Sequence, residues 1–313
     1  QRGYEAVVLT GIGGLGGITA LVLMTPIASR VFPMIREILR PHLAWILWTI
    51  IAYMLLSEWP KGTGRAPAGW ARWWEGWKSL TAGLVTFLLS GLLGFVLMYR
   101  SLVPVEVSYQ NLLPAFVGLF AVPWVIQNLL ARIELPAQHI ARDVDAPFDK
   151  IFQGTAAGVM GGLFAAFFPV VTGGIGGFLA GHATAQRDER AFIISQGASK
   201  IVYYVGGFLL YFVPGLHLTR GGMAWMVSTQ YSTYTPETYY WATAAVLLAG
   251  VTAFFLSLGF TRVVIALTAR VSYRIISLVT LGILLVVVVA MTGLGGLAIC
   301  AVATGIGLIP VLW

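Results

Sequence analysis

The sequence predicts an all-α polytopic membrane protein made of two duplicated halves, with one helix broken into a re-entrant hairpin. Three observations carry this. Hydrophobic residues make up 58% of 313 against 10% charged, with mean hydropathy +0.85, where a soluble domain carries about 25% charged residues. Apolar runs close to the ~20 residues that cross a bilayer core recur along the chain. One of them is interrupted by a proline and four glycines, in Phe167-Phe168-Pro169-Val170-Val171-Thr172-Gly173-Gly174-Ile175-Gly176-Gly177.

In chain order, spans are expected at about 7–29, 43–57, 79–98, 111–131, 191–213, 240–260, 275–292 and 294–313. The 153–181 region reads as a hairpin or two half-helices around Pro169, for eight to ten membrane segments in all. Backbone groups freed by proline and glycine survive at membrane depth only inside protein or a wet cavity. Transporters build substrate and ion sites from such broken helices; a glycine face packed on a neighbour is the plainer use. Before the third span, Trp70, Trp73, Trp74 and Trp77 fall on one helix face with Arg72, Glu75 and Lys78 off it. This is the pattern of an interfacial anchor helix lying among headgroups.

The net charge of +7 lies mostly in the connections Arg30 to Arg40, Lys61 to Lys78, Arg132 to Lys150, Arg187 to Arg190 and Arg262 to Arg274. There it contacts lipid headgroups, and no nucleic-acid patch is implied. The single cysteine, Cys300, excludes an intrachain disulfide and a cysteine metal site.

Two pairs of segments resemble each other at almost one offset. Glu5-Ala6-Val7-Val8-Leu9-Thr10 resembles Arg190-Ala191-Phe192-Ile193-Ile194-Ser195, 185 residues on. Gly118-Leu119-Phe120-Ala121-Val122-Pro123 resembles Gly305-Ile306-Gly307-Leu308-Ile309-Pro310, 187 residues on. The expected halves are residues 1–150, a first repeat lacking its N-terminal hairpin, and 151–313, a second repeat with its hairpin near Pro169 and a truncated C-terminus. An odd number of crossings between Glu5 and Arg190 makes such repeats inverted, and that relation is favoured. Pro169, Gly118, Pro123, Gly305 and Pro310 are then the candidate hinges or helix breaks.

Lys200 falls near the middle of the 191–213 span, where an ammonium costs at least ~2.5 kcal/mol. Ser195, Gln196, Ser199 and Tyr203 share a broad face with it. With Thr172, Gly173 and Gly174 at the hairpin turn, these residues make a candidate anion site: helix N–H groups bind the anion and Lys200 adds charge. A lysine that snorkels or pairs structurally is the competing use. Gln110, Asn111, Gln127 and Asn128 bracket the Pro114/Pro123 span as caps or boundary residues. Gly11-Ile12-Gly13-Gly14-Leu15-Gly16 fits G-x-G-x-x-G but opens an apolar span with no preceding strand, so it reads as helix packing. His139 with Asp143, Asp145 and Asp149 lacks metal-site spacing, and no nucleophile–base pair marks an enzyme.

Taken with Ser90-Gly91-Leu92-Leu93-Gly94, Leu113-Pro114-Ala115-Phe116-Val117-Gly118-Leu119-Phe120 and Pro136-Ala137-Gln138, the hairpin and the Gly118 and Gly305 frames carry a family likeness. The chain resembles the large permease subunit of tripartite tricarboxylate transporters, most of all its archaeal stand-alone relatives. That resemblance implies a secondary carrier for di- and tricarboxylates with a coupling cation, Na+ or H+, and no other cofactor. It implies pseudo-symmetric halves, a plasma-membrane location and further membrane subunits as partners. The Pro-Gly pair usual in the family's hairpin reads Pro169-Val170 here. Two other readings stand beside this one: a polyprenyl-phosphate lipid translocase and a non-transporting structural subunit of a membrane complex.

Overall fold

A computed structural model describes residues 2–59, 70–99, 112–131, 138–141, 143–168, 171–183, 188–228 and 235–312. Among them the chain is helical, in the order α1 Gly3–Leu39, α2 Leu43–Ser57, α3 Trp70–Tyr99, α4 Leu112–Phe116, α5 Val122–Leu130, α6 Phe148–Phe167, α7 Gly173–Ala183, α8 Glu189–Ile201, α9 Gly207–Phe212, α10 Gly221–Ser228, α11 Pro236–Thr268 and α12 Tyr273–Leu312. Five helical stretches are long and apolar enough to cross a membrane: Gly3–Ser57, Trp74–Tyr99, Leu112–Leu130, Pro236–Thr268 and Tyr273–Leu312. The protein is an all-α integral membrane protein.

Two expected boundaries are absent. Spans 7–29 and 43–57 lie on one helical path, because Leu39, Arg40 and Leu43 keep right-handed helical dihedrals through the 3-10 turn Arg40–His42. The segment 30–42 holds no Gly, Asn or Asp to supply a left-handed stop, and Pro41 sits in the first turn of the 3-10 piece, where its fixed φ fits. The tryptophan segment is likewise not a separate interfacial helix. With no proline between Trp70 and Tyr99, it forms the first turns of α3, with Trp70 and Trp74 exposed and Trp77 edge-on to Trp59. One expected boundary is present: the runs 275–292 and 294–313 meet at Gly293, where φ +66 and ψ −165 interrupt α12. That region is open essentially to glycine alone.

Contacts group the chain into two compact units, Gln1–Leu47 with Pro136–Leu267, and Trp48–Leu135 with Thr268–Trp313. The first is held by backbone contact between helices. A Cβ on Gly13 would strike the Ile194 carbonyl oxygen, and one on Gly197 would strike that of Thr10. Farther along, Gly17 meets Ala198 and Val202, and Gly206 meets Leu21. On α6, Gly154, Gly158 and Gly162, four residues apart, lie on Ile194, Ser195 and Ser199 of α8, as small-residue stripes do where membrane helices approach closely. Around this seam pack Leu21, Ala28 and Phe32 of α1, Ala166, Val202, Leu209, Leu210 and Leu216.

In the second unit, the π-turn Val117–Ala121 joins α4 to α5. Gly118 lies there against Cys300 and Ala303 of α12, and Gly307 lies against Leu119 and Pro123. Val122 packs with Val288 and Cys300, and Ala115 with Leu97 and Ile299.

The helices that carry the matched segments therefore touch each other, and they run in the same direction. Residue 13 meets 198, 17 meets 202, 21 meets 206 and 118 meets 303, each 185 residues apart. Inverted copies would run in opposite directions, so these segments do not meet the expectation of an axis in the membrane plane.

Substituting Gly13→Ala should lower thermal stability in detergent by about 1–3 kcal/mol, since the methyl group meets a carbonyl and not a movable side chain. Gly91→Ala, where nothing lies within 4 Å of the added carbon, should be neutral or stabilising by up to about 1 kcal/mol.

Candidate functional site

The site forms where α6 and α7 meet. Phe168 leaves the helix in extended conformation (φ −97, ψ 126), and α7 starts at Gly173. Pro169, with Val170, lies outside the described residues. Gly173 to Gly177 are helical, which narrows the expected irregular stretch to the residues before Gly173. Thr172 starts α7: its hydroxyl accepts from the Ile175 N–H at 3.4 Å and its carbonyl from the Gly176 N–H at 2.9 Å. The N–H groups of Gly173 and Gly174 have no acceptor among the described residues. They are the positive end of the helix dipole.

The two helices of the hairpin run antiparallel, with Gly161 and Gly176 in mutual backbone contact. Helix α7 in turn lies along α8 in the opposite sense, with Gly173 beside Lys200 and Tyr203, and Gly177 beside the Gln196 amide. The Ser199 hydroxyl donates to the Gly173 carbonyl at 2.7 Å, pinning the first residue of α7 to α8. Next to this contact, α8 passes into α9 through a second π-turn, Val202–Gly206.

The polar face expected on α8 is divided in two. Ser195 and Ser199 are fully buried (0% exposed), because α1 and α6 close on Ala191, Ile194, Ala198 and Val202. The Ser195 hydroxyl donates to its own helix, to the Phe192 carbonyl at 2.7 Å. Gln196, Lys200 and Tyr204 follow one another along an open edge, and the Lys200 side chain is exposed. The Lys200 Cα lies against Gly173, and the residue is exposed. Gly173, Gln196, Ser199 and Lys200 sit at the α7–α8 contact, Thr172 and Gly174 are exposed at the start of α7, and Ser195 lies on the buried side.

The sequence reading missed Arg220. It follows α9 and reaches back to the end of α6, where Nε donates to the Ala166 carbonyl at 3.3 Å and Nη2 to the Phe167 carbonyl at 2.8 Å. The available signal was its isolation as the only Lys or Arg between Lys200 and Arg262.

The Gly-x-x-x-x-Pro frames are not breaks. Gly118 lies within a π-turn and Pro123 just after it, both in a helical path, and helix continues through Gly305 and Pro310. Pro310 lies in the last turn of α12. Asn128 donates to the Tyr273 hydroxyl at 3.0 Å, and Gln110 and Asn111 lie outside the described residues. His139 and the aspartates near it form no metal-holding group among the described residues; Asp145 pairs with Arg190.

These features define a polytopic helical membrane protein with an interrupted helix pair and cations beside the interruption. Residues 1–313 match the tripartite tricarboxylate transporter TctA family, and the chain belongs to that family. An uncharacterized protein of Methanocaldococcus jannaschii is 25% identical over 281 residues, covering 88% of this chain. The chain spans 63% of that relative's length. No solved structure matches.

Replacing Ser199 with Ala should lower stability by about 0.5–1.5 kcal/mol through loss of the bond to Gly173. Ser195→Ala should cost less, since its bond lies within one helix turn; thermal unfolding compares the two. At the start of α8, Asp188 accepts from the Ala191 and Arg190 N–H groups. The Ala191 bond is the chief cause holding its carboxyl below the usual carboxylate range. A lowered folded pKa contributes stability above the unfolded value of about 3.9, and that contribution is lost as pH falls through the folded value. Asp188→Asn keeps the cap and should flatten this acid limb of melting temperature against pH.

Proposed function

We propose that this protein is a secondary transporter, a permease that moves a small organic anion such as a di- or tricarboxylate, coupled to Na+ or H+. The observation that carries the reading is the start of α7. The N–H groups of Gly173 and Gly174 have no acceptor among the described residues, Gly173 lies beside Lys200, and Thr172 and Ser199 hold that helix end in place. A carboxylate there accepts hydrogen bonds from the helix N-terminus and pairs with the Lys200 ammonium. Gln196 of α8, beside Gly177 one turn along α7, supplies an amide to a bound polar group. The exposed edge that carries Lys200 is the route of entry.

In this reading the α6–α7 pair is a re-entrant hairpin, the 1–150 and 151–313 halves are copies, and the axis relating them runs along the helices. The protein works in the plasma membrane with other membrane subunits. A polyprenyl phosphate would use the same N–H groups and cation, and a structural subunit would use neither.

Melting of the purified protein with propionate, succinate, citrate and a prenyl phosphate separates the three. A ligand at 100 times its Kd raises stability by about 2.7 kcal/mol. Stabilisation by succinate or citrate supports the carboxylate carrier, stabilisation by the prenyl phosphate alone replaces it with the lipid translocase, and no shift favours the structural subunit. Lys200→Met should abolish the carboxylate-dependent shift and leave ligand-free melting unchanged, because the side chain it replaces is exposed.

A further inference from the structure

We infer that Arg220 is a second cationic arm of this site and discriminates substrates with two or more carboxylates from those with one. The inference rests on the carboxylate reading above. The two helices at the interruption present opposite dipole ends. Helix α7 offers its positive N-terminus, and α6 offers its negative C-terminus with carbonyl oxygens left without helical donors. An anion bound at α7 would be repelled by those oxygens. Arg220 covers two of them, Ala166 and Phe167, with one edge of its guanidinium.

That edge uses Nε and Nη2. A guanidinium has a second edge, formed by Nη1 and the remaining proton of Nη2, whose spacing matches a carboxylate. Among the described residues Nη1 has no acceptor, and Arg220 is only partly buried. Arg220 therefore holds α6 with one edge and keeps the other for a ligand.

The turn that presents it is held firmly. The Leu218 N–H donates to the Leu210 carbonyl at 3.2 Å, and Arg36 Nη1 donates to the Leu216 carbonyl at 2.8 Å. Gly215, His217 and Gly221 take positive φ of 78, 43 and 75 around it. Arg220 thus stands at the α6 end of the interruption and Lys200 at the α7 end. A monocarboxylate at the α7 N-terminus engages Lys200 and leaves Arg220 unused, whereas a di- or tricarboxylate reaches both.

The test is calorimetric binding of propionate, succinate and citrate to the purified wild type, Arg220→Gln and Arg220→Lys. Arg220→Gln should weaken succinate and citrate about 10- to 100-fold, as loss of a charged hydrogen-bonded contact does, and change propionate by less than about threefold. Arg220→Lys should recover part of the loss, because it keeps the charge without the forked geometry. A residue that only caps α6 would weaken all three ligands alike. A measurement on the wild type covers the case in which the variants do not fold: citrate should slow modification of Arg220 by phenylglyoxal and leave Arg262 unaffected. Equal binding of the three acids by wild type and Arg220→Gln, a uniform loss, or unprotected Arg220 overturns the inference and leaves the carboxylate reading standing. Failure of the wild type to bind any of the three acids overturns both.

Discussion

Direct contact between helix backbones is the constraint on which the first unit depends. Lipid tails are as apolar as leucine, so membrane helices associate through close packing and polar contacts more than through the hydrophobic effect. Gly13, Gly17 and Gly197 let α1 and α8 touch at carbonyl oxygens, and Gly154, Gly158 and Gly162 do the same between α6 and α8. This seam occupies two sides of α8. It buries Ser195 and Ser199 completely and leaves one edge, from Gln196 through Lys200 to Tyr204, for anything that approaches from outside.

The hairpin hangs from the same seam. Gly161 and Gly176 bring α6 and α7 together, and Ser199 secures the first residue of α7. Without Ser199 the carbonyl of Gly173 would lose its buried partner, and the register that sets Gly173 beside Lys200 would loosen. At the other side of the interruption Arg220 satisfies the last carbonyls of α6. The last carbonyls of a helix have no intrahelical donor, and such partners satisfy them. Arg220 thus both caps α6 and gives the break a charge.

The similar segments form a parallel seam in each unit. In the first, α1 and α8 pair at an offset of 185; in the second, Gly118 and Gly307 lock α4, α5 and α12 together at nearly the same offset. Small residues fall at the contact in both, because neither seam admits a side chain between the two backbones.

The sequence by itself determined the class of protein, an interruption within residues 167–177 and the junction at Gly293. Each follows from local chemistry: apolar length or a proline beside glycines. Tertiary structure alone decided the rest. Whether Arg40 to His42 ends a helix depends on what packs around it, and no residue there enforces a stop. Which half of the α8 polar face is buried depends on which neighbours cover it, and the positions of Ser199 and Lys200 differ by only one residue in sequence. The direction in which similar helices pair is invisible to an offset, which is equally compatible with parallel and inverted copies. Arg220 lies more than fifty residues from the carbonyls it holds, and its partners are backbone atoms, which carry no sequence signal.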